Sequence, residues 1–212
     1  MVTKKNVLIT AGSTWVALDR VRVISNIASG ETGFILANKF KEIGAKVTLL
    51  LGPGDFCGLK CPGVKIINFK YFTELKHLLE VELKKRKYAA VVHAAAVADY
   101  QPEKISAHKV SSQLDNWKIN LKPTEKLINN LKKYAPDLFT VGFKFEPEAG
   151  RKRIIKEGTR LLKQANLDWV VANSNKNKAY QAYIFNDVVQ YGPFLNKLAM
   201  ASCLSKLINK LI

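Results

Sequence analysis

The chain has 212 residues, of which 48% are hydrophobic, enough for one substantial buried core and too apolar for an intrinsically disordered chain. Lys and Arg number 34 against 17 Asp and Glu, a formal net charge of +17, which favours anionic partners over cationic ones. Cys57, Cys61 and Cys203 include no C-x-x-C pair, which argues against a disulfide framework or a zinc site, and no apolar run is long enough to cross a bilayer.

Met1 to Lys5 leads into a strand with no signal-peptide core after it, so a cytoplasmic protein is expected. The first strand is read at Asn6–Thr10 and ends in the small-residue turn Gly12-Ser13-Thr14. A polar excursion of roughly 17 residues follows, where strand-to-helix loops usually take about 2–6. It closes on a helix, Gly30–Ile43, entered through Ser29-Gly30 and stopped by Gly44. A long loop ending at a glycine-bearing helix start suits an anionic ligand, because the first-turn N–H groups and the positive dipole end are there to be used.

Strands are next expected at Lys46–Leu51 and Val64–Asn68, a helix at Thr73–Lys87 and a strand at Ala89–Ala94. The lysines of Glu82 to Lys87 read as a solvated helix face. Tyr100 to Lys122 is polar, has Pro102 inside it and Pro123 just after it, and is too long for an ordinary loop; it predicts a flap over about residues 100–122. A helix from Thr124, as N-cap, to Tyr134 comes next, then a strand at Phe139–Phe145, a helix over Glu148–Gln164 and a strand at Asp168–Ala172. A hairpin over Ala182–Phe185 and Val188–Tyr191, turned at Asn186-Asp187, precedes a last helix at Asn196–Ile212. The pattern predicts a single α/β domain over residues 1–212. Its doubly wound, Rossmann-like, mostly parallel sheet has helices on both faces, a protruding flap and a C-terminal hairpin, with ligand bound at the carboxyl ends of the strands.

A dinucleotide fingerprint is missing. Gly12 stands alone after the first strand, Gly30 and Gly33 come much later, and Leu51-Gly52-Pro53-Gly54 has no carboxylate for a ribose. Tyr100 and Lys104 have the Y-x-x-x-K spacing of short-chain dehydrogenases, but Pro102 between them opposes the helix that would align them. No P-loop occurs, and His77, His93 and His108 lack metal-ligand spacing. His93, closing a buried strand, reads either as a general base or as a packed core histidine. A non-enzymatic anion- or nucleic-acid-binding module is the remaining alternative; the sequence has no aromatic-rich RNA-binding signature and no basic tail.

Six segments in order carry a family resemblance. They are Ile9-Thr10-Ala11-Gly12-Ser13-Thr14; Val21-Arg22-Val23-Ile24-Ser25-Asn26 with Ser29, Gly30 and Gly33; His93-Ala94-Ala95-Ala96-Val97-Ala98-Asp99-Tyr100; His108-Lys109-Val110-Ser111-Ser112; Val141-Gly142-Phe143-Lys144-Phe145-Glu146; and Asp168-Trp169-Val170-Val171-Ala172-Asn173. Together they resemble the phosphopantothenate–cysteine ligases (phosphopantothenoylcysteine synthetases) of coenzyme A biosynthesis, and the length is similar to the stand-alone bacterial form. The resemblance implies a ligase that joins 4′-phosphopantothenate to cysteine through an acyl-nucleotide. It implies CTP in preference to ATP, Mg2+ carried by the nucleotide, no flavin or NAD, and a homodimer, with no membrane or nucleic-acid partner.

By the same resemblance Asn26, Arg22 and Lys109 are the catalytic set, and Lys109, in a flap that crosses a dimer interface, serves the partner's site. Gly12, Ser13, Thr14, His93, Ala94, Ala95, Asp99, Thr124, Lys126 and Phe143 are implied to bind nucleotide, and Ser29, Gly30, Gly33 and Ala96 to bind phosphate or substrate. No protein metal site is implied. The chain departs from the family pattern at Ser13, where the family has glycine, at Val16-Ala17, at Ser111-Ser112, and at Leu161 and Ala165, where CTP-using members have lysines. Arg160 and Lys163 stand near those two positions.

Overall fold

The computed structural model describes residues 5–212; the expectation about the leading residues concerns Met1 to Lys4, which lie outside them. In chain order the elements are β1 (Asn6–Ala11), β2 (Trp15–Ala17), β3 (Val23–Ser25), α1 (Glu31–Glu42), β4 (Lys46–Leu51), β5 (Val64–Asn68), α2 (Phe72–Lys84), β6 (Ala90–His93), β7 (Tyr100–Pro102) and β8 (Leu121–Pro123). A 3-10 turn over Leu127–Asn130 leads into the short α3 (Leu131–Tyr134). Then come β9 (Phe139–Phe145), α4 (Arg151–Gln164), β10 (Trp169–Ser174), β11 (Gln181–Phe185), β12 (Gln190–Phe194) and α5 (Lys197–Leu211).

Eight strands form one sheet in the order β12-β11-β10-β9-β6-β1-β4-β5. Every pair from β5 to β10 is parallel, and the β11–β12 hairpin adds antiparallel strands at the edge. Alternate residues of each strand enter opposite cores, as the period of two requires. Val7, Ile9, Leu49, Val92 and Val171 pack under α1 and α5. Leu8, Leu50 and Val91 pack under α2 and α3, and Val170 and Ala172 under α4. Burial on both faces explains why the central strands β1, β4 and β6 read as largely apolar runs.

Two parts of the prediction need correcting. The excursion after β1 is not all loop: β2 and β3 form a small antiparallel hairpin. No helix begins at Thr124. Its Oγ1 donates to the Ala98 carbonyl (2.6 Å) instead of capping, and regular helix starts only at Leu131. The flap carries its own two-stranded stem, in which Tyr100 pairs with Pro123 and Pro102 with Leu121. Tyr100 is therefore on a strand, and the Y-x-x-x-K pair never shares a helix face.

A buried carboxylate ties α2 to the start of β6. Glu82 accepts from Lys85 Nζ (2.5 Å), Lys87 Nζ (2.9 Å) and Tyr88 Oη (2.5 Å). Burial alone would push its pKa up; the donors outweigh burial and bring it from 4.5 to about 2. A carboxyl depressed on folding stabilises the fold above its unfolded pKa, and that contribution fades as pH falls through the folded value. Urea unfolding should therefore show about 2 kcal/mol of Glu82-dependent stability at pH 7, after allowance for screening of the partly exposed lysines, disappearing between about pH 5 and 2. Glu82→Gln should flatten that part of the profile.

Candidate active site

The strand order reverses direction at β1. From β1 the chain runs outward to β4 and β5, then returns to place β6 on the other side. The loops after β1 and β6 part at that point and leave a crevice at the carboxyl edge of the sheet, where open α/β sheets bind ligands. Backbone bonds hold its two lips in register: Ala94 N–H donates to the Thr10 carbonyl (3.1 Å), Ala96 N–H to Gly12 (2.8 Å), and Thr14 N–H to Ala96 (3.3 Å). The resulting cleft is about 470 Å3. Gly12, the Ile27–Gly33 segment and the Ala94–Val97 backbone form its walls, with Phe143, Lys144, Phe145, Asn173, Asn175, Tyr180 and Lys197 opposite.

The start of α1 is pressed hard against β1. Gly30 takes φ +86°, which an L side chain rarely adopts, and a Cβ built on Gly33 would lie 2.2 Å from Ala11 Cβ. Glycine at these positions lets the helix start reach the strand end. Glu31 N–H donates to Ser29 Oγ (3.3 Å), whereas the following amides are first-turn groups without an intrahelical acceptor. An anion in the cleft meets these donors and the positive end of the helix.

Asn26 follows β3 and reaches the alanine run. Its Nδ2 donates to the Val97 carbonyl (3.0 Å) and, more weakly, to Ala96 (3.4 Å). The carboxamide is thus held against the same backbone that walls the cleft. Ser25 fixes the approach, its Oγ lying within hydrogen-bond distance of Ser13 Oγ (3.0 Å) and of the Thr14 carbonyl (3.2 Å).

Of the residues implied by resemblance, Gly12, Ser29, Gly30, Gly33, Ala94, Ala95, Ala96 and Phe143 line this one cleft. Ser13, Thr14 and His93 lie buried beneath it and do not form its walls. Thr14 Oγ1 accepts from Ala98 N–H (2.9 Å), and Thr10 Oγ1 lies 2.9 Å from His93 Nδ1 while accepting from Ala95 N–H (3.2 Å). They shape the backbone of the alanine run from below. Burial lowers the His93 pKa to about 4, so the ring is neutral at pH 7, as a packed core histidine is.

Lys126 and Asp99 form an ion pair at the mouth of a second groove, of about 440 Å3, which contains Lys126, Asn129, Lys144, Arg160 and Leu161. Lys144 belongs to both grooves, so the two adjoin. Thr124 lies behind them, its N–H on the Asp99 carbonyl (2.9 Å). Ala165, in place of a family lysine, is buried, and Lys163 is exposed outside this groove.

Arg22 and Lys109 are not brought into the cleft. Arg22 and Asn26 stand at opposite ends of extended β3, not one helical turn apart. The Arg22 guanidinium donates to Asp19 (2.8 Å) and to the Val110 carbonyl (3.1 Å), and lies 5.1 Å from the Trp117 ring centre. Asp19 is buried and also accepts from the amides of Val21, Arg22 and Val110. Although burial would raise its pKa, those amides and the Arg22 charge hold it below the usual value. One carboxylate thus joins the β2–β3 hairpin to the flap, and Lys109 is exposed on that flap.

Lys144, Asn173, Asn175, Tyr180, Lys197 and Glu31 were not singled out by sequence reasoning. Asn173 ends the sixth resembling segment and Lys144 follows Phe143, so strand-end position could have found both. Lys197 gives no local signal, because its place in the cleft depends on how α5 packs. Among the described residues no cluster of His, Cys, Asp or Glu could hold a metal ion, and no helix is long and apolar enough to cross a membrane.

A switch-point crevice with helix-start amides, a backbone-lined wall and flanking lysines defines an α/β protein of the open, doubly wound class. Residues 2–210 match the family model of the DNA/pantothenate metabolism flavoprotein C-terminal domain, and the chain belongs to that family. It is 33% identical over 172 residues to the coenzyme A biosynthesis bifunctional protein CoaBC of Thermococcus kodakarensis, covering 81% of this chain and 42% of that protein. The chain spans less than half the length of the first curated relatives it matches. The crystal structure of the DNA/pantothenate metabolism flavoprotein from Streptococcus pneumoniae superposes with TM-score 0.87 at 20% identity, over 98% of this chain and all of that one. A Cab2 histidine-to-alanine variant in complex with phosphopantothenate-cysteine superposes with TM-score 0.78 at 18% identity, over 98% of this chain and 86% of that one.

Proposed function

We propose that the protein is a phosphopantothenate–cysteine ligase. The observation that carries the reading is the meeting, in one crevice, of the α1 helix start and the Ala94–Val97 backbone, with the Asn26 carboxamide bonded to that backbone at the Val97 carbonyl. Family membership and the phosphopantothenate-cysteine ligand of the Cab2 complex support it. In the first half-reaction a carboxylate oxygen of 4′-phosphopantothenate attacks the nucleotide α-phosphorus and pyrophosphate leaves. In the second the cysteine amine attacks the acyl carbon, an amide C–N bond forms, the acyl C–O bond breaks and the nucleoside monophosphate leaves. Helix-start amides hold phosphate, and Asn26 exchanges its weak 3.4 Å contact for the acyl oxygen as charge builds there.

CTP is the nucleotide of this reading, with Lys126, Asn129 and Arg160 of the second groove as donors to the pyrimidine acceptors. Mg2+ arrives on the triphosphate as part of that substrate. The flap reaches a second copy, so that Lys109 works in the partner's cleft. Incubation with 4′-phosphopantothenate, cysteine, Mg2+ and either CTP or ATP should release pyrophosphate, faster with CTP. No release with either nucleotide would remove the ligase reading; faster release with ATP would correct only the nucleotide.

A further inference from the structure

The cleft holds an ion pair that no step above uses. Glu31 is the first residue of α1, and Lys197 is the first residue of α5. Their side chains join across the cleft wall, and both residues line it. The Lys197 ammonium therefore sits at the helix start where an incoming phosphate would meet the α1 amides. Glu31 sits there too, and its carboxylate opposes any anion that approaches. Two charges of opposite sign, both about one-third exposed, share one position.

Tyr180 adds a third member. Its hydroxyl is buried and has no hydrogen-bond partner among the described residues. A buried hydroxyl left unpaired is costly, so such a group is usually explained by a partner supplied in another state. Burial, with the nearby Glu31 charge as the second cause, raises the phenol pKa, so the group stays protonated and can donate.

We propose that Lys197 is the phosphate-recruiting cation of the cleft, held in readiness by Glu31 and released to the ligand's phosphate chain, with the Tyr180 hydroxyl taking its place on Glu31. The inference deepens the ligase reading and rests on it for the identity of the ligand. A structural tie between α1 and α5 makes a different prediction. If the pair only fastened two helices, losing either partner would weaken binding in the same direction. In the recruiting role the two partners act with opposite sign, because Glu31 competes with the ligand for the cation.

The test is calorimetric titration with inorganic pyrophosphate, and separately with Mg2+-CTP, on the full chain. Lys197→Met should weaken binding of both by about tenfold or more, the scale of one lost charge-assisted contact. Lys197→Arg should recover much of it. Glu31→Gln should tighten pyrophosphate binding by about threefold, and Tyr180→Phe should weaken the wild-type binding of pyrophosphate without lowering the melting temperature of the unliganded protein. Shifts of the same sign in Lys197→Met and Glu31→Gln, or no shift in either, would overturn the proposal, as would a wild-type protein that binds no pyrophosphate. Opposed shifts in a protein that makes no amide would uphold Lys197 and remove only the ligase reading.

Discussion

If the protein is the proposed ligase, Asn26→Asp should lower the rate of amide formation by about a hundredfold or more, on the order of 3 kcal/mol of transition-state stabilisation. Two effects combine. Asp has no N–H to offer the developing oxyanion, and its carboxylate would face the carbonyl oxygens of Val97 and Ala96, which now accept from Nδ2 at 3.0 and 3.4 Å. Repulsion would turn the side chain off the cleft wall. Single-turnover measurements of pyrophosphate release and of amide formation locate the loss. It should fall on steps through the acyl-nucleotide, with nucleotide binding little changed because Asn26 is not at the helix-start amides. Wild-type rates for both half-reactions would take Asn26 out of the mechanism.

Gly33→Ala is the second large effect, and it acts through shape. The added methyl would lie 2.2 Å from Ala11 Cβ and 3.3 Å from Ala11 Cα, so strand and helix must separate. Overpacking of this kind costs about 1–3 kcal/mol, visible as a lower midpoint in urea. Ligand binding should fall as well, because the helix-start amides move with the backbone. Pairing the change with Ala11→Gly removes the opposing methyl and should restore much of the stability, while the remaining 3.3 Å contact limits full recovery. A single variant as stable as the wild type would mean that α1 shifts without cost.

The parallel strands were legible because they are mostly apolar, β-branched runs between turn residues; β4, β5 and β9 fall where that pattern puts them. The hairpin of Trp15–Ala17 and Val23–Ser25 was not, because three-residue strands are too short to display a period of two. Thr124 reads as an N-cap after Pro123, yet its hydroxyl finds the Ala98 carbonyl, a partner 26 residues earlier that no local pattern reveals. The cleft divides the same way. Its glycines and alanines are visible as small residues at strand ends and a helix start. Lys197 and Tyr180 are ordinary residues until α5 packs on α1 and β11. Arg22 has the spacing of a site residue but is directed to the flap by Asp19, a preference set by burial and not by sequence distance.

Glu31 and Lys197 are 166 positions apart, and α5 packs in the same core as α1. During synthesis the glycine-bearing turn, the alanine run and Asn26 all emerge long before the helix that closes the crevice. A growing polypeptide therefore has no finished pocket to offer, and competence arrives as one late event when α5 docks.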